Sequence, residues 1–168
     1  LAQDKKDFEE KEKEYRKELE NVTPPENVTT EVVNTFVANE GKADQEEKDA
    51  ISELQAATNT EAERQKTFDN AATELESLNT TRKKIEEKLK VEGLTSEEKQ
   101  LQELALRANE AAIRSVEIDR DYHTTLELVE KADRETAFAK RNAKQTAHQL
   151  SVKKLQMARA ELQVVLEK

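Results

Sequence analysis

LQELALRANEAAIRSVEIDRDYHTTLELVEKADRETAFAKRNAKQTAHQLSVKKLQMARAELQVVL, residues 101–166, is the stretch whose periodicity decides the fold. Read in sevens, one row runs Leu101, Ala108, Ser115, Tyr122, Val129, Thr136, Ala143, Leu150, Met157 and Val164. Three residues further on, a second row runs Leu104, Ala111, Ile118, Thr125, Ala132, Ala139, Thr146, Lys153 and Ala160. Lys153 is the only charge in these rows, in a chain where 39% of residues are charged. Two uncharged rows at this spacing define a seam along an α-helix, the pattern of coiled-coil packing. No Gly or Pro interrupts the stretch, so about seventy residues at 1.5 Å each predict a helix of roughly 100 Å.

The 168-residue length fits one domain. With 35% hydrophobic and 4% aromatic residues and a mean hydropathy of -0.98, the chain lacks the apolar mass for a broad globular core. It has enough for a thin seam repeated many times. Glu (29) and Ala (20) lead the composition, with two Gly and two Pro, which favours long helices. High charge and few aromatics also mark disordered chains, but unbroken seven-residue rows argue against disorder. The absence of Cys removes thiol catalysis, disulfides and Cys-based zinc sites. No run of eighteen apolar residues is present, nor a signal peptide. The first residue is Leu, in mid-pattern, so the chain reads as a processed or excised piece. A net charge of -9 disfavours nucleic-acid binding, which depends on neutralising phosphates.

The remaining helices are read in chain order. Leu1, Phe8, Tyr15 and Val22 fall seven apart in an otherwise charged segment and predict a first helix over about 1–20. It is too short and polar to stand alone. Thr23-Pro24-Pro25-Glu26 has the form of a helix start: Thr as cap, Pro at the first position, Glu three residues after the cap. The second helix is therefore expected over about 24–90. Its best row is Phe36, Ala43, Ala50, Ala57, Arg64, Ala71, Leu78 and Ile85. The companion row mixes Val33, Leu54, Phe68, Leu75 and Leu89 with Glu40, Glu47, Glu61 and Arg82. Gly41 within this helix suggests a bend or close helix approach.

Gly93 followed by Leu94 suggests a Schellman stop, and Thr95 with Glu98 a capping box for a third helix over about 96–168. So short a connection forces antiparallel neighbours. The expectation is an all-α fold: one elongated domain built on a long antiparallel hairpin, with its tip at 91–96. The short first helix is expected to close the base, covering Phe138, Val152, Leu155, Leu162, Val165 and Leu166, with a second molecule packing there as the competing explanation. Closing the turn at 90–97 places partners at positions summing to about 187. That sets Ile85 by Leu101, Leu78 by Ala108, Leu75 by Ala111, Phe68 by Ile118, Ala43 by Ala143, Ala50 by Ala137, Glu47 by Lys140 and Asp44 by Lys144.

Candidate sites are few. His123 and His148 lie roughly 37 Å apart along one helix, too far to share a metal. Asp119 and Asp121 flank His123 but point elsewhere on a helix, so a solvated polar face is expected there. From 136 to 160 the chain carries six basic residues and no acidic one. The acids Glu31, Glu40, Asp44, Glu46, Glu47 and Asp49 lie opposite in a hairpin, so pairing within the molecule is expected rather than nucleic-acid or lipid binding. Asn21-Val22-Thr23, Asn27-Val28-Thr29 and Asn79-Thr80-Thr81 match the N-glycosylation pattern. Val91, Glu92, Gly93, Leu94 and Thr95 form a candidate contact tip. No phosphate loop, Ser/His/Asp set or enclosed carboxylate pair is present, and a bundle two or three helices wide cannot exclude water as strong catalysis requires. These features predict a non-enzymatic protein with no cofactor, metal or small-molecule substrate.

A Cys-free, Glu- and Ala-rich chain with this helix plan resembles the glutamic acid/alanine-rich surface proteins of African trypanosomes, whose bundle is similar to the core of the variant surface glycoproteins. The resemblance covers Pro24 to Lys168 in architecture and rests on composition and helix plan. It implies a coat protein at the cell surface or secreted. Its partners would be neighbouring copies or other surface proteins, and it would meet the membrane only through a C-terminal anchor absent from this sequence. The run Gln65-Lys66-Thr67-Phe68-Asp69-Asn70-Ala71-Ala72-Thr73-Glu74 also resembles stretches in colicin receptor-binding arms and in type III secretion translocators similar to the invasins. A scaffold coiled coil is a third reading. The chain beyond Lys168 would separate them: a small-residue site, spacer and hydrophobic tail, a toxin or membrane-inserting domain, or further heptads.

Overall fold

A computed structural model describes residues 1–167; Lys168, the last residue of the expected third helix, lies outside them. The protein is an all-α helical bundle of three helices: α1 (Ala2–Glu20), α2 (Thr30–Leu89) and α3 (Ser96–Leu166). Contacts divide it into two compact units, Leu1–Asn59 with Glu130–Lys168, and Thr60–Val129.

In the first unit α1 runs alongside α3 in the same direction. Thr136 Oγ1, which donates to the Ala132 carbonyl at 2.8 Å, lies 3.4 Å from the Leu1 carbonyl, and Lys153 Nζ donates to the Leu19 carbonyl at 2.7 Å. Between them lies the Lys5–Glu135 ion pair at 2.9 Å. The face of α1 that turns inward carries Lys5, Phe8, Glu12, Tyr15 and Leu19, and Val22 continues it, all half-buried. Leu1, expected in that stripe, is exposed. No residue of α1 is fully buried, so each half-covered apolar side chain contributes on the order of 1 kcal/mol.

The expected helix start at Pro24 is not used. Thr23 and Pro24 each precede a proline, which pushes them out of the helical region. Asn27 adopts φ 55, a left-handed conformation that ends any helix before it begins. The working cap is Thr29, whose hydroxyl accepts from the Val32 N–H at 3.3 Å. Val28, still in the connection, is buried with Val33, Leu155 and Ala158, and Phe36 and Leu162 pack against them. Thus Leu155 and Leu162 are covered by the start of α2 and the segment before it. The sequence pattern assigns them to α1, which lies instead on the row of Ala132, Thr136 and Lys153. Phe138, Val165 and Leu166 remain exposed.

α2 and α3 pair antiparallel within each unit. In the first unit Lys140 meets Glu53 and Lys144 meets Glu46; in the second, Ala71, Leu75, Ile113 and Val116 form a core flanked by Leu78. Every member of α2's best row, from Phe36 to Ile85, is buried or half-buried. On α3 the expected rows are inward only in the first unit, where Ala139, Ala143, Thr146 and Leu150 are buried. In the second unit they face out, and Leu101, Leu104, Ile118 and Tyr122 are 60–68% exposed. Asn109, Ile113 and Val116 are buried there instead. The expected partners Leu101, Ala108, Ala111 and Ile118 therefore sit at the right height on the wrong face. Counting uncharged positions favours a row whose middle is Ala108, Ala111 and Ser115, which offers α2 little area. Leu106, Ile113, Val116 and Leu126 offer branched aliphatic area at the cost of admitting Asn109. Asn109 Nδ2 donates to the Leu78 carbonyl at 3.1 Å, a contact that favours this alignment over a slipped one.

The second unit ends in the turn. α2 closes at Leu89, tightened by Lys90 N–H to Glu87 and Val91 N–H to Lys88, three-residue steps in place of the expected Schellman bonds. Gly93 then takes φ 87. Thr95 and Glu98 cap α3 reciprocally: Thr95 N–H donates to Glu98 Oε2 at 2.8 Å, and Glu98 N–H to Thr95 Oγ1 at 3.2 Å. The two glycines make opposite predictions. A Cβ placed at Gly41 would meet nothing within 4 Å, so no helix approaches closely there, and α2 continues through it. Gly41→Ala should stabilise by about 0.5–1 kcal/mol. Gly93→Ala also meets no atom but forces a left-handed alanine, and should destabilise by about 1–2 kcal/mol. Urea melts of the two variants should move in opposite directions.

Candidate functional site

Four lysines on the basic face of α3 are engaged within the first unit, and Arg141 turns to its neighbour Asn142 at 3.2 Å. Lys140 Nζ lies 2.6 Å from Glu53, and Lys144 Nζ 2.7 Å from Glu46. Lys153 donates to the end of α1, and Lys154 pairs with Glu18 at 3.3 Å. Two expected pairs are replaced. Asp44 bonds Lys48 on its own helix at 2.5 Å rather than Lys144, and Glu47 turns to His148 rather than Lys140. The first is a four-residue spacing that needs no second helix. The second reflects a stronger claimant.

That claimant is the one titratable cluster of note among the described residues. His148 projects from α3 between two carboxylates of α2, with Nδ1 2.5 Å from Glu47 and Nε2 3.1 Å from Glu40. Glu40 and Glu47 are one heptad apart in the mixed row of α2, so both face the same neighbour. A carboxylate only accepts, so satisfying both requires a donor on each ring nitrogen, the imidazolium form. Burial by itself lowers the His148 pKa. The hydrogen bonds to Glu47 and Glu40, with the charges of Glu47 and Asp44, outweigh it and hold the value above the ordinary 6.5. Lys144, one turn away, is itself engaged by Glu46. With a raised native pKa, the bridge stabilises fully below about pH 6.5 and is lost as pH rises through the native value. Wild-type stability should therefore fall across that window, and His148→Gln should flatten the profile in thermal melts recorded at stepped pH.

His123 is not on a solvated face. It is half-buried, and its Nδ1 is enclosed without a hydrogen-bond partner, while its ring meets Tyr122 edge-on at 5.8 Å. Among the described residues no group of three potential ligands is placed to hold a metal, and no helix is long and apolar enough to cross a membrane. One concavity lies between α1 and α3, lined by Leu1, Lys5, Ala132 and Glu135.

The three sequon asparagines are exposed. Asn21 caps the end of α1, its side-chain amide donating to the Lys17 carbonyl at 2.8 Å. Asn27 occupies the connection and Asn79 the outer face of α2. In the turn, Val91, Glu92, Gly93 and Thr95 are exposed, and Leu94 is half-buried. The structure brings His148 together with Glu40 and Glu47, two acids that counting apolar residues treats as defects in a row. The signal was present: the register expected from the turn places Glu40 almost opposite His148.

No protein-family model, curated protein or solved structure matches this chain. The class defined by fold and site is an all-α helical bundle whose seam carboxylates Glu40 and Glu47 are bridged by His148.

Proposed function

We propose that this chain is a non-enzymatic structural protein of a cell surface, a coat component held by an anchor C-terminal to the sequence described. The observation that carries the reading is the composition of the packed core in the first unit. Ala50, Ala139, Ala143 and Ala158 are among its most enclosed positions, which lets the helices of this unit approach closely. Lysines and glutamates engage one another around it, leaving an acidic surface that resists clumping. Closely packed helices with an acidic surface suit dense lateral arrays, the use implied by the resemblance to trypanosome coat proteins. Glycans at Asn21 or Asn27 would fit the exposed connection without disturbing a helix interior.

The test is made on the cells that express the protein. Intact cells are labelled with a membrane-impermeant amine reagent, treated with phospholipase, and the released protein's C-terminal peptide is sequenced by mass spectrometry. A coat protein gives labelling, release and a glycolipid remnant. Protein that stays unlabelled until lysis contradicts the proposal, and a C-terminal toxin or membrane-inserting domain would replace it with the bacterial-arm reading.

A further inference from the structure

We propose that the outward heptad rows of α3 between Leu101 and Val129 are a self-association seam, covered by the same rows of a second copy in antiparallel orientation. The inference goes beyond the coat reading and does not depend on where the protein resides.

The first support is the exposure itself. Four large apolar side chains at coiled-coil spacing, Leu101, Leu104, Ile118 and Tyr122, stand 60–68% exposed on one face. Aligned, they form a stripe of the kind that marks an interaction surface, unlike single scattered apolar residues. In the first unit the same rows are occupied: Ala132, Thr136 and Lys153 contact α1. Among the described residues of the second unit there is no third helix to take that position. The exposed large apolar residues of α2, Val37 and Ile51, belong to the first unit. Of the second unit's other exposed large apolar residues, Val91 lies in the turn and Leu128 stands alone beside the rows, so the α3 stripe is the aligned apolar seam of that unit, and a second copy presents the same face.

Size and charge select the orientation. In an antiparallel pair, first-row positions meet second-row positions. Leu101 then faces Thr125, Leu104 faces Tyr122, Ala108 faces Ile118, and Ala111 faces Ser115 of the second copy. Each pair sets one larger side chain against a smaller or differently shaped one, as close packing prefers. The shallow groove formed by Gln100, Glu103, Leu104 and Arg107 lies where the opposing Tyr122 ring arrives. The same alignment brings Arg107 beside Asp121, twice by symmetry; within its own chain Asp121 meets Arg120 at 3.9 Å, a loose contact. Arg114 meets its own copy at the two-fold axis, a repulsion eased by Glu110 and Glu117 on its helix. A parallel pair would stack Ala108, Ala111 and Ser115 on themselves, three small layers in succession, where the antiparallel pair has only the two Ala111–Ser115 layers and sets each Ala108 against Ile118. Pairing over four heptads buries on the order of 1,000 Å² or more in total, the size at which specific interfaces begin.

The test is sedimentation velocity on the full chain from roughly 1 to 500 μM, the range in which an interface of that size dissociates. A reversible monomer–dimer equilibrium is expected. Leu104→Glu and Ile118→Glu, each at an exposed site, should raise the dissociation constant at least tenfold while leaving the monomer's circular dichroism and melting temperature unchanged. Arg107→Asp should weaken the dimer, and Arg107→Asp with Asp121→Arg should restore it. A monomer at the highest concentration, or a dimer indifferent to Leu104→Glu and Ile118→Glu, overturns the proposal. Restoration by Arg114→Asp with Asp119→Arg, but not by the 107/121 exchange, overturns the antiparallel arrangement.

Discussion

Replacing Leu155 with alanine should cost about 3 kcal/mol and lower the thermal midpoint by roughly 6–12 °C. Leu155 is buried with Val28, Val33 and Ala158, and Phe36 and Leu162 close the cluster. Those residues come from three places in the chain: the connection before α2, the first turns of α2, and the last third of α3. Truncation removes the apolar contact that draws them together and leaves a cavity that rigid helices cannot collapse to fill. Val165, on the same stretch of α3, is exposed, and Val165→Ala should change stability by no more than about 0.5 kcal/mol. The measurement is a pair of calorimetric melts. Equal effects at 155 and 165 would mean the cluster does not form.

Enlarging Ala50 should be as damaging by the opposite route. Ala50 is completely enclosed, so Ala50→Leu must place three more carbons where no space exists, costing about 1–3 kcal/mol or prying the helices apart. Alanine and leucine have nearly equal helix propensity, so the loss reports packing alone. Ala38→Leu, on the exposed side of the same helix, should be near neutral. Chemical unfolding of both variants separates the cases, and a tolerated leucine at 50 would show that α2 and α3 are not in close contact there.

Much of this architecture was legible in the residues. α2 obeys one pair of rows from Phe36 to Leu89, because its apolar side chains concentrate there with few rivals on other faces. The capping box at Thr95 and Glu98 is purely local and forms as read. α3 was harder, because it carries two apolar faces. Its uncharged rows are the face that α1 covers near Thr136 and Lys153, whereas Ile113, Val116 and Leu155 lie off those rows and pack with α2 or the segment before it. A single-seam reading merges the two. Thr23-Pro24-Pro25 misled for a different reason: the prolines constrain their predecessors more than they start a helix, and the burial of Val28 fixes the path. The His148 bridge needed both a histidine and two acids judged together across helices. Composition scores each of them as a solvated charge.

Zero-length carbodiimide cross-linking, with peptide mapping of the monomer fraction, tests the antiparallel bundle most directly. The reagent joins a lysine amine to a carboxylate only where the two already touch. Amide links are expected for Lys140–Glu53, Lys144–Glu46 and Lys5–Glu135, from pairs 2.6, 2.7 and 2.9 Å apart. Links from Lys140 to Glu31, or an absence of links between α2 and α3, would contradict the bundle.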